Sequence, residues 1–268
     1  MRNNFQYFFI VFLFLSNFIV AQETTKVKDI IGTAYISGDI SPNQAKVQAL
    51  NDAKINALKA AGIEEHINTY QLLFTSQINK DYSQFFSSDI QSEMQGAVKS
   101  YQIKSERTFI DTNKIIEYKV TIDAEVIKYE SKSDITFDAN IEGIKGVYNN
   151  DDKLSFSVKT TEKAYLTIFN ITDNEALMLY PNVYEKQQIL EPSVLHQFPV
   201  SNIISYSLHT DMKQQETNRL IFVFTKTPIP FIKIDKDQIT TQENIFTWIY
   251  SIMPDQRKVE YFTLTIQK

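Results

Sequence analysis

Polar and apolar residues alternate most regularly across residues 114–128. There Ile116, Tyr118, Val120, Ile122, Ala124 and Val126 share one side of an extended chain. A period of two held this long predicts a strand in a sheet covered on one face. A partner strand is predicted over 100–110, with Asp111-Thr112-Asn113 as the turn between them. Upstream the period changes. Ala45, Ala49, Ala53, Ala57 and Ala61 recur every four residues and so lie along one helical face, which Leu50, Ile55 and Leu58 broaden. Ser41 is placed to cap this helix, Pro42 suits its first position, Gln44 completes a capping box, and Gly62 supplies the stop. The small alanine face predicts close seating on a sheet. Residues 27–37 read as a strand with Val27, Ile31, Thr33 and Tyr35 on one face, Gly32 permitting a bulge, and Gly38-Asp39 turning the chain. A second strand is predicted at 67–75. A helix at 81–95 would present Tyr82, Phe85, Phe86, Ile90 and Met94. The order β-α-β-α-β-β predicts an α+β layered domain over residues 22–130.

Beyond residue 130 the apolar runs shorten. Leu154, Phe156 and Val158 alternate, 164–171 and 176–180 read as strands joined at Asp173-Asn174, and Pro181-Asn182 ends the second. Further extended pieces fall at 198–200, 206–209, 220–226 and 259–266, and residues 240–252 form the one predicted late helix. Many short strands with a single helix predict a mainly-β sandwich over 131–268. Its boundary falls between 129 and 152. That stretch carries Ile135, Phe137, Ile141 and Ile144 and is too apolar to be only a linker.

The first 21 residues form a separate pattern. Arg2 precedes an apolar run over 8–15, Asn17 interrupts a second run, and Ala21-Gln22 resembles a signal-peptidase site. The apolar core falls short of the roughly 20 residues of a membrane span. A cleaved signal peptide over 1–21 is therefore expected, with no stable transmembrane segment after cleavage; an uncleaved N-terminal membrane anchor is the alternative. The expected location is the periplasm or the outer-membrane surface of a Gram-negative envelope, or the medium beyond it. The chain has no cysteine, which excludes disulfides, thiolate metal sites, cysteine nucleophiles and a lipidated leader cysteine.

Two resemblances follow from these residues. The first strand, its Gly38-Asp39 turn and the register Gln44-Ala45, Asp52-Ala53 and Ala57 resemble the small outer-membrane lipoprotein and flagellar-accessory domain family, over residues 27–128. That resemblance implies an extracytoplasmic scaffold or assembly role and carries no catalytic residue. The run 164–171, then Leu177-Met178-Leu179-Tyr180-Pro181-Asn182, Phe198-Pro199-Val200 and the approach to Thr227-Pro228 resemble the bacterial domain-of-unknown-function family 4384, over residues 151–268. Asn174-Glu175 stands where that family usually has a turn glycine. This resemblance implies a β-rich accessory module of exported proteins.

Catalytic patterns are scarce. His66, His196 and His209 are the only histidines and form no short metal motif, so surface or packing roles are expected for them. The chain has no GxSxG elbow and no phosphate-binding glycine loop. Asp151-Asp152 reads as a solvated turn rather than a catalytic pair. A net charge of −5 argues against general nucleic-acid binding. Tyr180, Asn182, Tyr184 and Trp248, with Tyr165, are the candidate contact residues. Tyrosine combines an apolar face with a polar tip, and asparagine offers hydrogen bonds in a loop. Those properties suit protein or glycan contact, and equally the rim of a sandwich. The expectation is a non-catalytic exported envelope adaptor or assembly factor that binds another envelope protein without a cofactor or metal. A glycan-binding module or carbohydrate-active enzyme is the alternative.

Overall fold

Ser41 and Gln44 form the reciprocal capping box expected of them at the start of helix α1 (Pro42–Ala60). At its other end Gly62 takes φ +80, the amide of Gly62 donates to Lys59, and that of Ile63 donates to Leu58. These bonds complete a left-handed C-terminal cap that a side chain at residue 62 would strain. The computed structural model describes residues 24–36, 40–63, 96–110, 115–172, 175–210 and 214–268. The signal segment 1–21, the Gly38-Asp39 turn, the strand at 67–75, the helix at 81–95, His66, and the turns at 111–113 and 173–174 lie outside the described residues.

Helix α1 covers one face of an antiparallel sheet of order β1-β3-β2, formed by β1 (Thr24–Ile36), β2 (Gly96–Ile110) and β3 (Ile116–Lys128). Ala45, Ala49, Ala53 and Ala57 are fully buried against Val120, Ile122, Ala124 and Val126, the alternating face read from the sequence. The bulge in β1 falls between Val27 and Ile30, at Asp29 with φ 56, and not at Gly32. It shifts the alternation. Ile30 joins Val27 on the helix side, while Ile31 and Tyr35 remain exposed. Gly32 serves close approach instead, because a Cβ there would stand 2.1 Å from the Ala49 carbonyl oxygen and 2.2 Å from the Ala53 nitrogen. The outer edge of β1 is also served by the helix. The Thr33 amide donates to Asp52 Oδ2 at 3.0 Å, and Asn56 Nδ2 donates to the Ile31 carbonyl at 2.9 Å. Asp52, read only as part of a family register, thus satisfies a backbone group that an edge strand would expose. Burial pushes its carboxyl above the usual range, against the lowering effect of the Thr33 amide.

The second half is a sandwich. After β4 (Ala139–Glu142), β5 (Val147–Asn149), β6 (Lys153–Leu154) and β7 (Phe156–Thr160) come β8 (Ala164–Ile171), β9 (Ala176–Tyr180), β10 (Ile189–Leu190), β11 (His196–Phe198), β12 (Tyr206–Ser207), β13 (Gln215–Thr225) and β14 (Ile239–Thr240). Helix α2 (Gln242–Ser251) and β15 (Arg257–Gln267) end the chain. One sheet has the order β14-β9-β8-β13-β15-β5, with β10 also on β8, and is antiparallel except for the β15–β5 pair. Sheets β11-β7-β4 and β12-β6 face it. Phe156 of β7 meets Phe222 of β13 edge to face at 5.1 Å and stacks on Phe198 at 5.3 Å, so aromatic packing joins the layers. Phe137 and Ile141 belong to this core, and β4 and β5 pair within it. The stretch 129–150 is structural and not a linker.

The other face of the large sheet is covered by α2. Phe169, Ile171, Ile221 and Val223 pack with Ile245, Phe246, Ile249 and Tyr250. The same cluster takes in Ala97, Ile127 and Tyr129 from the end of the first sheet. Tyr129 donates to the Tyr250 carbonyl at 2.8 Å, and Arg257 donates to the carbonyls of Ile249 and Ile252. The Tyr129 bond and the Arg257 bond to Ile252 satisfy carbonyls at the C-terminal end of α2, and the Arg257 bond to Ile249 adds to the one that carbonyl already accepts from the Ile252 amide, all at the seam between the two halves.

Candidate functional site

Two places stand out among the described residues. The first is a groove of about 530 Å³ where α1, β2 and α2 meet. Val47, Leu50, Val98, Ile103 and Phe246 give it apolar walls, and Lys54, Tyr101 and Glu243 add polar groups. Its volume falls within the range of small-molecule sites. Lys54 projects from α1 with its ammonium 4.7 Å above the Tyr101 ring. Burial pulls its pKa down to about 8, against the opposing attraction of Glu243. Glu243 lies in the first turn of α2, where the helix N-terminus favours a carboxylate. Tyr101 is pushed above its usual range by burial and by Glu243.

The depressed lysine has a consequence for stability. Below pH 8 it is charged in both folded and unfolded chains, and the folded chain carries the full desolvation penalty. Between about 8 and 10.5 the folded protein has released the proton that an unfolded lysine still holds, so stability rises with pH. Denaturant unfolding across that interval is expected to show the rise in the native chain and a smaller one in Lys54→Met. Equal slopes would mean that Lys54 is solvated.

The second place is an apex of two loops at one end of the sandwich. Tyr180 ends β9 and Phe198 ends β11, and their rings meet edge to face at 5.1 Å. The peptide bonds to Pro181 and Pro199 are both cis. Between the loops lies Glu185, only 3% exposed. Its carboxylate accepts from the amides of Val200 and Ser201, from Asn182 Nδ2 and from the Tyr206 hydroxyl. Burial, and next the bond to Glu185, push the Tyr206 hydroxyl well above the usual tyrosine range. The clamp holds the loops side by side while Val183, Tyr184 and Ile203 stand out, at 71%, 70% and 88% exposure.

The four contact residues expected from the sequence fall into three environments. Tyr180 is fully buried, and its hydroxyl donates to the Lys186 carbonyl and accepts from the Gln188 amide. Asn182 uses its whole amide internally. Nδ2 donates to the Leu179 carbonyl and to Glu185, while Oδ1 accepts from the amides of Tyr184 and Glu185. These two residues build the loop. Tyr184 alone is presented at its surface. Trp248 is on α2, half-buried and edge-on to Phe169 at 5.8 Å and Phe231 at 5.6 Å, so it belongs to the cluster on the opposite face of the large sheet. Glu185 and Ile203 were not singled out in the sequence. A glutamate three residues after an asparagine in a loop looks like any solvated acid until the second loop is folded against it.

The two described histidines are engaged locally. His196 Nε2 accepts from the Glu191 amide, and His209 Nδ1 lies 2.7 Å from Asp151 at an exposed turn. No group of three metal-ligating side chains is assembled among the described residues. No helix among them is long and apolar enough to cross a membrane.

No curated protein matches the chain. Residues 147–228, from β5 to just beyond β13, match a family described as Domain of unknown function (DUF4384). The match omits β15, which lies between β13 and β5 in the large sheet, so the folded unit extends past the matched segment. Over residues 147–228, within the β-sandwich, the chain is therefore similar to the DUF4384 family.

Proposed function

We propose that this chain is a non-catalytic accessory protein of the bacterial envelope, exported by its N-terminal segment, and that it binds another envelope protein through the apex of its sandwich. The observation that carries this reading is the Glu185 clamp, which holds Val183, Tyr184 and Ile203 exposed on loops that are internally bonded. Preorganised apolar residues with a tyrosine at their centre suit a protein partner, because little ordering entropy remains to be lost on contact. Glycan recognition needs free polar groups. Those of Tyr180 and Asn182 are already used, which favours the protein reading over the glycan alternative. The resemblance of residues 27–128 to the lipoprotein and flagellar-accessory family supports an assembly role in the same compartment.

A photocrosslinking residue in place of Tyr184, expressed in the native envelope, tests this. The expected result is one discrete protein adduct, which is lost when Val183 and Ile203 are both changed to Ser. Glycan adducts, or turnover of an envelope glycan by the purified chain, would replace the adaptor reading with the alternative.

A further inference from the structure

We propose that the groove between α1, β2 and α2 is a binding site for a small apolar carboxylate, with Lys54 as the group that holds its charge. The site is separate from the apex and does not depend on it. Three observations converge. The cavity is of ligand size and walled by Leu50, Ile103 and Phe246, which suits an aryl or alkyl body. The Lys54 ammonium lines it over Tyr101, with no hydrogen bond or ion pair to a described side chain. The other charges around it have their own partners or supports. Lys99 pairs with Glu125 at 3.4 Å, and Glu243 sits on the first turn of its helix without reaching ion-pair contact with Lys54. A desolvated cation whose closest partner among the described residues is a ring face gains most from an anion that brings its own apolar surface.

The chemistry has two natural sources, a free organic acid and the C-terminal carboxylate of a peptide ending in an apolar residue. Both place a carboxylate at Lys54 and an apolar group against Phe246. The ammonium is half-deprotonated near pH 8, and an arriving carboxylate favours its charged form. Binding above that pH is therefore accompanied by proton uptake, and affinity falls as pH rises further. Among the described residues, the titratable groups that line the groove with Lys54 are Tyr101 and Lys99 from β2 and Glu243 and Tyr250 from α2.

The test uses the full chain and 4-phenylbutyrate, with 4-phenylbutanol as its uncharged counterpart. Calorimetry at pH 7 is expected to show about a tenfold preference for the acid. Lys54→Met should abolish that preference and Lys54→Arg should keep it. The Lys54 side-chain resonance should titrate at higher pH with the acid bound. A phenylalanine-terminated peptide with a free carboxylate, compared with its amide, distinguishes the two sources. The peptide source is indicated if the free peptide binds more tightly than 4-phenylbutyrate, and the organic acid if it binds less tightly. Equal affinity for acid and alcohol would overturn the proposal. So would a preference that survives Lys54→Met, or binding of neither compound. A merely structural Lys54 would change stability on substitution and leave the acid-over-alcohol preference unmoved.

Discussion

Replacing Glu185 with alanine is expected to destabilise the sandwich by roughly 3 to 5 kcal/mol, because each buried group left unsatisfied costs about 1 to 3 kcal/mol. The substitution strands the amides of Val200 and Ser201, the Tyr206 hydroxyl and one proton of Asn182 Nδ2. Water can reach some of these in a loosened loop, which sets the lower end of the range. Glu185→Gln should be milder. It keeps one acceptor oxygen and the side-chain shape, but it turns an amide donor toward partners that are themselves donors. Tyr206→Phe removes a single donor and should cost about 1 kcal/mol. Urea unfolding of the three variants checks the order Ala, Gln, Phe. A loss below about 1 kcal/mol for Glu185→Ala would mean the clamp is not formed. The same variant should release the Tyr184 loop, so the crosslinked adduct should weaken in parallel.

Gly32→Ala is expected to cost about 3 kcal/mol or more in the first half, at or beyond the usual limit for overpacking. The added methyl would collide with the backbone of α1, at the Ala49 oxygen and the Ala53 nitrogen, so no rotamer change relieves it. The helix must lift from the sheet. Lifting breaks the bonds from Asp52 to the Thr33 amide and from Asn56 to the Ile31 carbonyl, and it opens the contact of Ala49 and Ala53 with the strands. Hydrogen exchange should accelerate at Val120 to Val126 and stay unchanged at Phe222 and Leu264, which lie in the separate sandwich core. Unaltered protection in β3 would show that helix and sheet are not in close contact.

Local patterns in the sequence were sufficient for much of this architecture. The capping box at Ser41 and Gln44, the alanine stripe, the alternation from Ile116 to Val126, and strands β8 and β9 are each specified within one element. Helix α2 was also legible within residues 240–252, while Thr241 as its cap emerged only in the structure. The face assignment in β1 was wrong beyond Val27, with Ile31 and Tyr35 turned out to solvent. One bulged residue at Asp29 reverses inside and outside for everything after it, and the bulge lies where Asp123 of β3 accepts the Asp29 amide. That partner comes from 94 residues away.

The contact residues show the same division. Tyrosine and asparagine near a strand end signal a loop, and there the sequence was informative. Which of their atoms remain free is a matter of hydrogen-bond accounting across two loops, and folding used those of Tyr180 and Asn182 internally. The groove was not legible at all. Lys54 sits on the helix that carries the alanine stripe and reads as a solvated residue of its polar side. It becomes a desolvated cation only because β2 brings Tyr101 beneath it and α2, almost 190 residues later in the chain, brings Glu243 and Phe246 alongside. The sequence by itself determined the capped helix α1, the long alternating strands and the α+β class with its β-sandwich, since these depend on periodicity and short-range bonds. Only the tertiary structure decided which polar groups are consumed and which cation is left facing a cavity, because both depend on neighbours that no local pattern brings together.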